Sequence, residues 1–184
     1  MSEARLIRRS LAEFFQDLVR GAMRTHDVHL SEPAEHYLVN LLERFAKPEP
    51  DWDTRPLALA YLESTQEARA PRCAKLKYVG DTALFLSGIF MESLERRTAS
   101  TDYYMALGRI AYHQLATLPA TDAVPRTEIF GEMAARFPDF VRVLSEISFA
   151  ELFPSDGQTV RVYTRWLHTR GAQDAAWLLR RGIV

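Results

Sequence analysis

The stretch from Lys75 to Leu118, KLKYVGDTALFLSGIFMESLERRTASTDYYMALGRIAYHQLATL, constrains the fold more than any other part of the chain. Apolar residues recur there at three- and four-residue steps, the period of an α-helix. They occupy most of the helical circumference, and only a few polar residues interrupt them. A helix that is apolar nearly all round is normally buried inside a bundle. The stretch therefore predicts two central helices, at about 73–97 and 102–118, with the rest of the chain packed around them.

The remaining sequence supports helices as well. Leu6, Leu11, Phe14, Phe15, Leu18, Val19 and Ala22 make an amphipathic stripe over 3–24. Ser31 is a suitable N-cap and Pro33 suits a first turn, so a second helix carries Tyr37, Leu38, Leu41, Leu42 and Phe45 and stops before Pro48. Three prolines in KPEPDWDTRP, residues 47–56, prevent continuous helix and mark a linker. Helix resumes over 57–69, and Ala70, Pro71 and Arg72 are expected to break it before the central pair begins. A further helix from about Thr127 is kinked or restarted at Pro138, and two short ones are expected at 160–169 and 172–181. VRVY at Val160 is the one strand-like run and is too short to change the reading. The expectation is an all-α, single-domain multi-helix bundle over 1–184, with eight or nine helices.

Composition removes several function classes. The 184 residues are 47% hydrophobic and 26% charged, ordinary for a globular chain and unlike a disordered one. A net charge of −1 supplies no global field for nucleic acid or an anionic membrane. The single cysteine, Cys73, excludes an intramolecular disulfide and fits a reducing compartment. The N-terminus, MSEARLIRRSLAEFFQDL, mixes charged with apolar residues and lacks the apolar core of a signal peptide. No apolar run approaches the roughly 20 residues needed to span a bilayer. A cytoplasmic protein without a membrane partner is expected.

Polar residues on the central pair are the candidates for function. Asp81 lies on an otherwise largely apolar helix, with Lys77 one turn back and Glu92 three turns on. A buried carboxylate needs a partner. One reading makes Asp81 half of a structural ion pair, and the other makes Asp81 and Glu92 the lining of a polar pocket. On the second central helix, Asp102, Arg109 and His113 share the face opposite Leu107, Gly108, Ala111 and Leu115. Arg109 and His113 are four residues apart and therefore neighbours. They form either a solvated face or an anion site, because both side chains donate to carboxylate or phosphate. Tyr103, Tyr104 and Tyr112 add hydroxyls nearby, though tyrosines at helical spacing are commonly core residues. Gly80 and Gly88 inside a helix each cost about 1 kcal/mol relative to alanine. Close packing or room for a bound molecule would offset that.

The strings YVGDTALFLSGIFMESLERR and DYYMALGRIAYHQLA resemble a family of uncharacterised bacterial all-helical proteins. The matching positions are Val79, Gly80 and Asp81, then Leu84, Phe85, Ser87 and Gly88, then Asp102, Tyr103, Tyr104, Gly108, Ala111 and Tyr112. They cover about a quarter of the chain. The resemblance implies a helical bacterial protein and carries no catalytic role.

Other motifs offer little. No histidine has a glutamate three residues before it, which argues against a carboxylate-bridged di-metal bundle. His26, His29, Glu32 and His36 form the densest ligand-type cluster and read better as surface residues than as a metal site. There is no Gly-x-Ser-x-Gly elbow and no phosphate-binding loop. Cys73 lies between Arg72 and Lys75 with no evident general base. Arg161, Arg165, Arg170, Arg180 and Arg181 interleave with Tyr163, Trp166 and Trp177, a pattern that contacts phosphates in some proteins but more often stands at a bundle rim.

The sequence therefore favours a non-enzymatic interaction or regulatory module that binds a protein partner or a second copy of itself, with no metal and no cofactor. The alternative is a small-molecule or cofactor-binding protein or an enzyme, with Asp81, Glu92, Tyr103, Tyr104, Arg109, Tyr112 and His113 lining a pocket between the central helices. Nucleic acid is disfavoured as a partner.

Overall fold

In the computed structural model the described residues are 11–46, 56–89, 101–119 and 127–147. They form seven helices: α1 (Leu11–Thr25), α2 (Glu32–Phe45), α3 (Leu57–Ser64), α4 (Arg69–Ile89), α5 (Thr101–Thr117), α6 (Thr127–Ala135) and α7 (Phe137–Ser145). No strand occurs among the described residues, so the fold is all-α, as the periodicity predicts. Glu92, the arginine-rich stretch beyond 155 with its two expected helices, and the proline-rich linker up to 55 lie outside the described residues.

Local chemistry sets the helix ends. α1 closes with Asp27 in the left-handed region at φ 51°. The Val28 N–H then reaches back to the Met23 carbonyl at 2.9 Å and the Asp27 N–H to Arg24 at 3.3 Å. This is the bond pattern of a Schellman turn, with aspartate in the place glycine usually takes. Ser31 caps α2 by accepting the Ala34 N–H, and Glu32 and Glu35 place negative charge at its positive end. Arg136 interrupts the chain between α6 and α7, and Pro138 sits in the first turn of α7. There a missing N–H costs nothing, so the proline restarts a helix rather than kinking one.

The start of α4 departs from the sequence expectation. Pro71 was expected to break the helix ahead of the central pair, but α4 begins at Arg69 and holds Pro71 in its first turn. The break falls earlier, at 65–68, where α3 has already ended at Ser64. A first-turn N–H has no intrahelical acceptor, so proline fits there as well as it would outside the helix.

α4 is the centre of the bundle. It packs on α3, α5 and α7, while α5 also packs on α6 and α1 lies against α2 and α7. Every residue from Val79 to Phe85 is buried. Gly80, Gly88 and Gly108 permit the close approach. A Cβ at Gly80 would stand 2.6 Å from the Tyr112 ring, one at Gly108 2.5 Å from the Phe137 ring, and one at Gly88 2.4 Å from the Leu144 Cβ. At these three glycines, packing rather than a bound molecule occupies the space. α2 stands farther from α4, and large side chains bridge the gap: Phe45 stacks on Phe85 with centroids 4.2 Å apart. No helix among the described residues is long and apolar enough to cross a membrane.

Candidate functional site

Asp81 is the most constrained polar residue of the core. Its side chain has 0% exposure, yet it accepts four hydrogen bonds. Oδ1 takes the hydroxyls of Tyr37 and Tyr112, each at 2.6 Å. Oδ2 takes Arg44 Nη2 at 2.7 Å and Lys77 Nζ at 2.6 Å.

Helix geometry explains how the donors converge. Lys77 precedes Asp81 by one turn of α4. Tyr37 and Arg44 are seven residues apart on α2, so two turns of helix place them on one face. Tyr112 comes from α5 and lies across the gap that Gly80 leaves. Its ring stacks on Phe130 at 5.7 Å, which orients the hydroxyl toward the carboxylate. Lys77 Nζ also lies 5.0 Å from the Tyr37 ring centroid. The carboxylate thus ties α2, α4 and α5 together.

Electrostatics keep both phenols of the cluster protonated. Burial, followed by the Asp81 charge, pushes both the Tyr37 and Tyr112 phenols well above their ordinary range. Both remain hydrogen-bond donors. Burial acts to lower the basicity of Arg44, but Asp81 outweighs it and holds the guanidinium above its usual value. Arg44 and Lys77 remain 43% and 41% exposed, so their charged ends keep some hydration while they neutralise a fully buried anion. Two cations face one carboxylate, and its lone pairs are occupied. No acceptor capacity remains for a substrate, and the arrangement suits a structural tie better than acid–base chemistry.

The second feature lies on the exposed side of α5. Arg109, Ile110, His113 and Gln114 form one wall of an open groove with Ala106, and Gly131, Ala134 and Ala135 of α6 form the other. Its volume is about 520 Å³. Arg109, His113, Ala106 and Asp102 are exposed, as the polar face of this helix predicts. Arg109 Nε–H reaches the Ala134 carbonyl at 3.4 Å, near the C-terminal end of α6. No carboxylate pairs with Arg109 among the described residues.

The residues singled out in the sequence therefore divide. Asp81 and Tyr112 meet in the core, while Arg109 and His113 line the groove, and Asp81 is not part of that lining. Tyr103 and Tyr104 pack edge to face at 5.1 Å near the start of α5, Tyr103 40% exposed, and neither lines the groove. Lys77 was the one partner of Asp81 visible in the sequence. The sequence places Tyr37 among the apolar residues of its helix and gives Arg44 no distinguishing mark. The seven-residue spacing between them was the available signal. The α6 wall was missed too, because alanine and glycine carry no chemical signature.

The other candidates have structural neighbours. His26 Nε2 lies 3.0 Å from Glu146 Oε2, and the His29 carbonyl accepts from Arg136. Glu132 accepts the Ser31 backbone N–H at 3.0 Å, fastening α6 to the start of α2. Cys73 is buried and free. Among the described residues no group of three or more His, Cys, Asp and Glu is placed to hold a metal ion.

Comparison with family models, with curated proteins and with solved structures finds no match to this chain.

Proposed function

We propose that the protein is a non-catalytic binding module whose recognition surface is the α5–α6 groove. The observation that carries this reading is the contrast between two polar sites. Asp81 is saturated by four internal donors, whereas Arg109 and His113 stand at an open groove of about 520 Å³, a size usual for ligand sites. The free, buried Cys73 supports a reducing, cytoplasmic setting.

An NMR-detected screen of small fragments against the full chain tests it. The amides of 106–114 and 131–135 are expected to move together for most hits. Hits confined to other surfaces, or a screen in which the groove amides never move, would overturn the reading.

Self-association is a second reading. Leu59 and Leu62 of α3, one turn apart, are 44% and 59% exposed. Sedimentation at increasing concentration is expected to show a dimer that Leu59→Ser and Leu62→Ser abolish. An unchanging monomer would remove this second reading.

A further inference from the structure

We infer that the α5–α6 groove takes a small amphipathic carboxylate, its apolar body along the α6 wall and its charged end on Arg109. The inference rests on the groove being the recognition surface and adds the chemical class of the ligand.

Gly131 supplies the first argument. The glycines at 80, 88 and 108 each face a neighbour closer than 3 Å to where a Cβ would be. At Gly131 the nearest atom is the Ala116 Cβ at 3.9 Å, an ordinary contact. A glycine inside a helix costs about 1 kcal/mol relative to alanine, and here no packing requirement offsets it. Gly21 of α1 is uncrowded too, so an open glycine is not a site by itself. Gly131 gains its meaning from the groove it lines, beside Ala134 and Ala135. A wall of such small side chains keeps space open that leucine or valine would fill.

The charged end follows from Arg109. Its Nε–H makes one long bond to a helix-terminal carbonyl, and no acidic side chain neutralises it among the described residues. A guanidinium donates in a planar fork that matches a carboxylate. His113, one turn on, supplies a further donor at the same wall. A phosphate dianion fits less well: one arginine stands beside an apolar floor, and the groove runs along helix sides rather than facing helix N-termini, where phosphates are usually held. Ile110, 47% exposed on the same wall, offers apolar surface for the body of the ligand.

The test uses octanoate, with 1-octanol as its uncharged counterpart, titrated into the full chain and followed by NMR. Octanoate is expected to shift the amides of 106–114 and 131–135 and to bind about tenfold more tightly than octanol. Arg109→Gln is expected to bring octanoate down to the octanol level and to leave octanol unchanged. Gly131→Leu, whose Cβ meets only ordinary contact and whose bulk enters the groove, is expected to abolish both, with an unchanged far-ultraviolet circular dichroism spectrum showing that the helices are retained. Equal binding of the two probes at the groove, or an Arg109→Gln variant that binds octanoate like the parent, would overturn the carboxylate assignment and leave the groove reading standing. Failure of both probes to move the groove amides at millimolar concentration, with fragment hits elsewhere, would overturn both.

Discussion

Tyr112 and His113 are adjacent in sequence and belong to opposite worlds. The face of α5 that carries Tyr112 is buried, close-packed and electrostatically closed, since every polar atom of Asp81 there has an internal partner. The face that carries His113 is open, and Arg109 on it has no carboxylate among the described residues. Both faces held charged or aromatic residues at helical spacing, and both looked like sites in the sequence. What separates them is whether the neighbouring helix supplies complementary groups. α2 answers Asp81 with Tyr37 and Arg44, while α6 answers Arg109 with a backbone carbonyl and small side chains. A polar residue on a central helix is thus informative about function only after its partners are known.

The sharpest way to break this contrast is to remove the buried anion. Asp81→Ala leaves two buried phenols without their acceptor and two half-exposed cations without their counter-charge, and a loss of about 2–5 kcal/mol in urea unfolding is expected, most of it from the phenols. A loss below about 1 kcal/mol would mean that the cluster relaxes into water and ties nothing.

Tyr112→Phe keeps the packing and deletes one hydrogen bond to a charged group, which should cost about 1.5–3 kcal/mol by the same measurement. A neutral result would place that hydroxyl outside the network.

Glycine-to-alanine substitution gives the two sides opposite signs. Gly80→Ala forces a methyl against the buried Tyr112 ring, and overpacking of about 1–3 kcal/mol should exceed the gain in helix propensity. Gly131→Ala meets only ordinary contact and should stabilise by up to about 1 kcal/mol. Thermal melts of the pair check this, and two shifts of the same sign would count against the distinction drawn between a packed and an open glycine.

The smallest effect is a pH dependence. The folded phenols of Tyr37 and Tyr112 titrate above their unfolded value, so their contribution is fully present below about pH 10, the usual phenol value. Above that the unfolded chain releases its protons first, and stability falls as pH rises toward the folded values. The urea midpoint should therefore drop more steeply on the alkaline side in the parent than in the Tyr37→Phe, Tyr112→Phe double variant. Equal slopes would show that these phenols do not contribute.

Much of the fold was legible because its period is strong. The buried stripe of α4 and the Ser31 cap follow from spacing and local chemistry alone, while Pro138 was legible as a kink or a restart and the structure decides for the restart. Pro71 misled because proline forbids a helix interior but not a first turn, and the sequence does not say which of the two a given proline occupies. The Lys77–Asp81 pair was legible because it lies within one helix. Tyr37 and Arg44 were not, since their meeting with Asp81 depends on how α2 docks, 37 or more residues away in the chain. The groove was half legible: Arg109 and His113 announce themselves by charge, whereas Gly131, Ala134 and Ala135 contribute only the absence of bulk.

The most direct test of the central claim is a pair of double-mutant cycles on urea stability. One couples Asp81→Asn with Tyr112→Phe, and the other couples Asp81→Asn with Arg109→Gln. The division of α5 into a locked face and an open one predicts coupling of about 0.5–3 kcal/mol in the first cycle and additivity within about 0.5 kcal/mol in the second. Comparable coupling in both would contradict it, because Asp81 and Arg109 would then belong to one site.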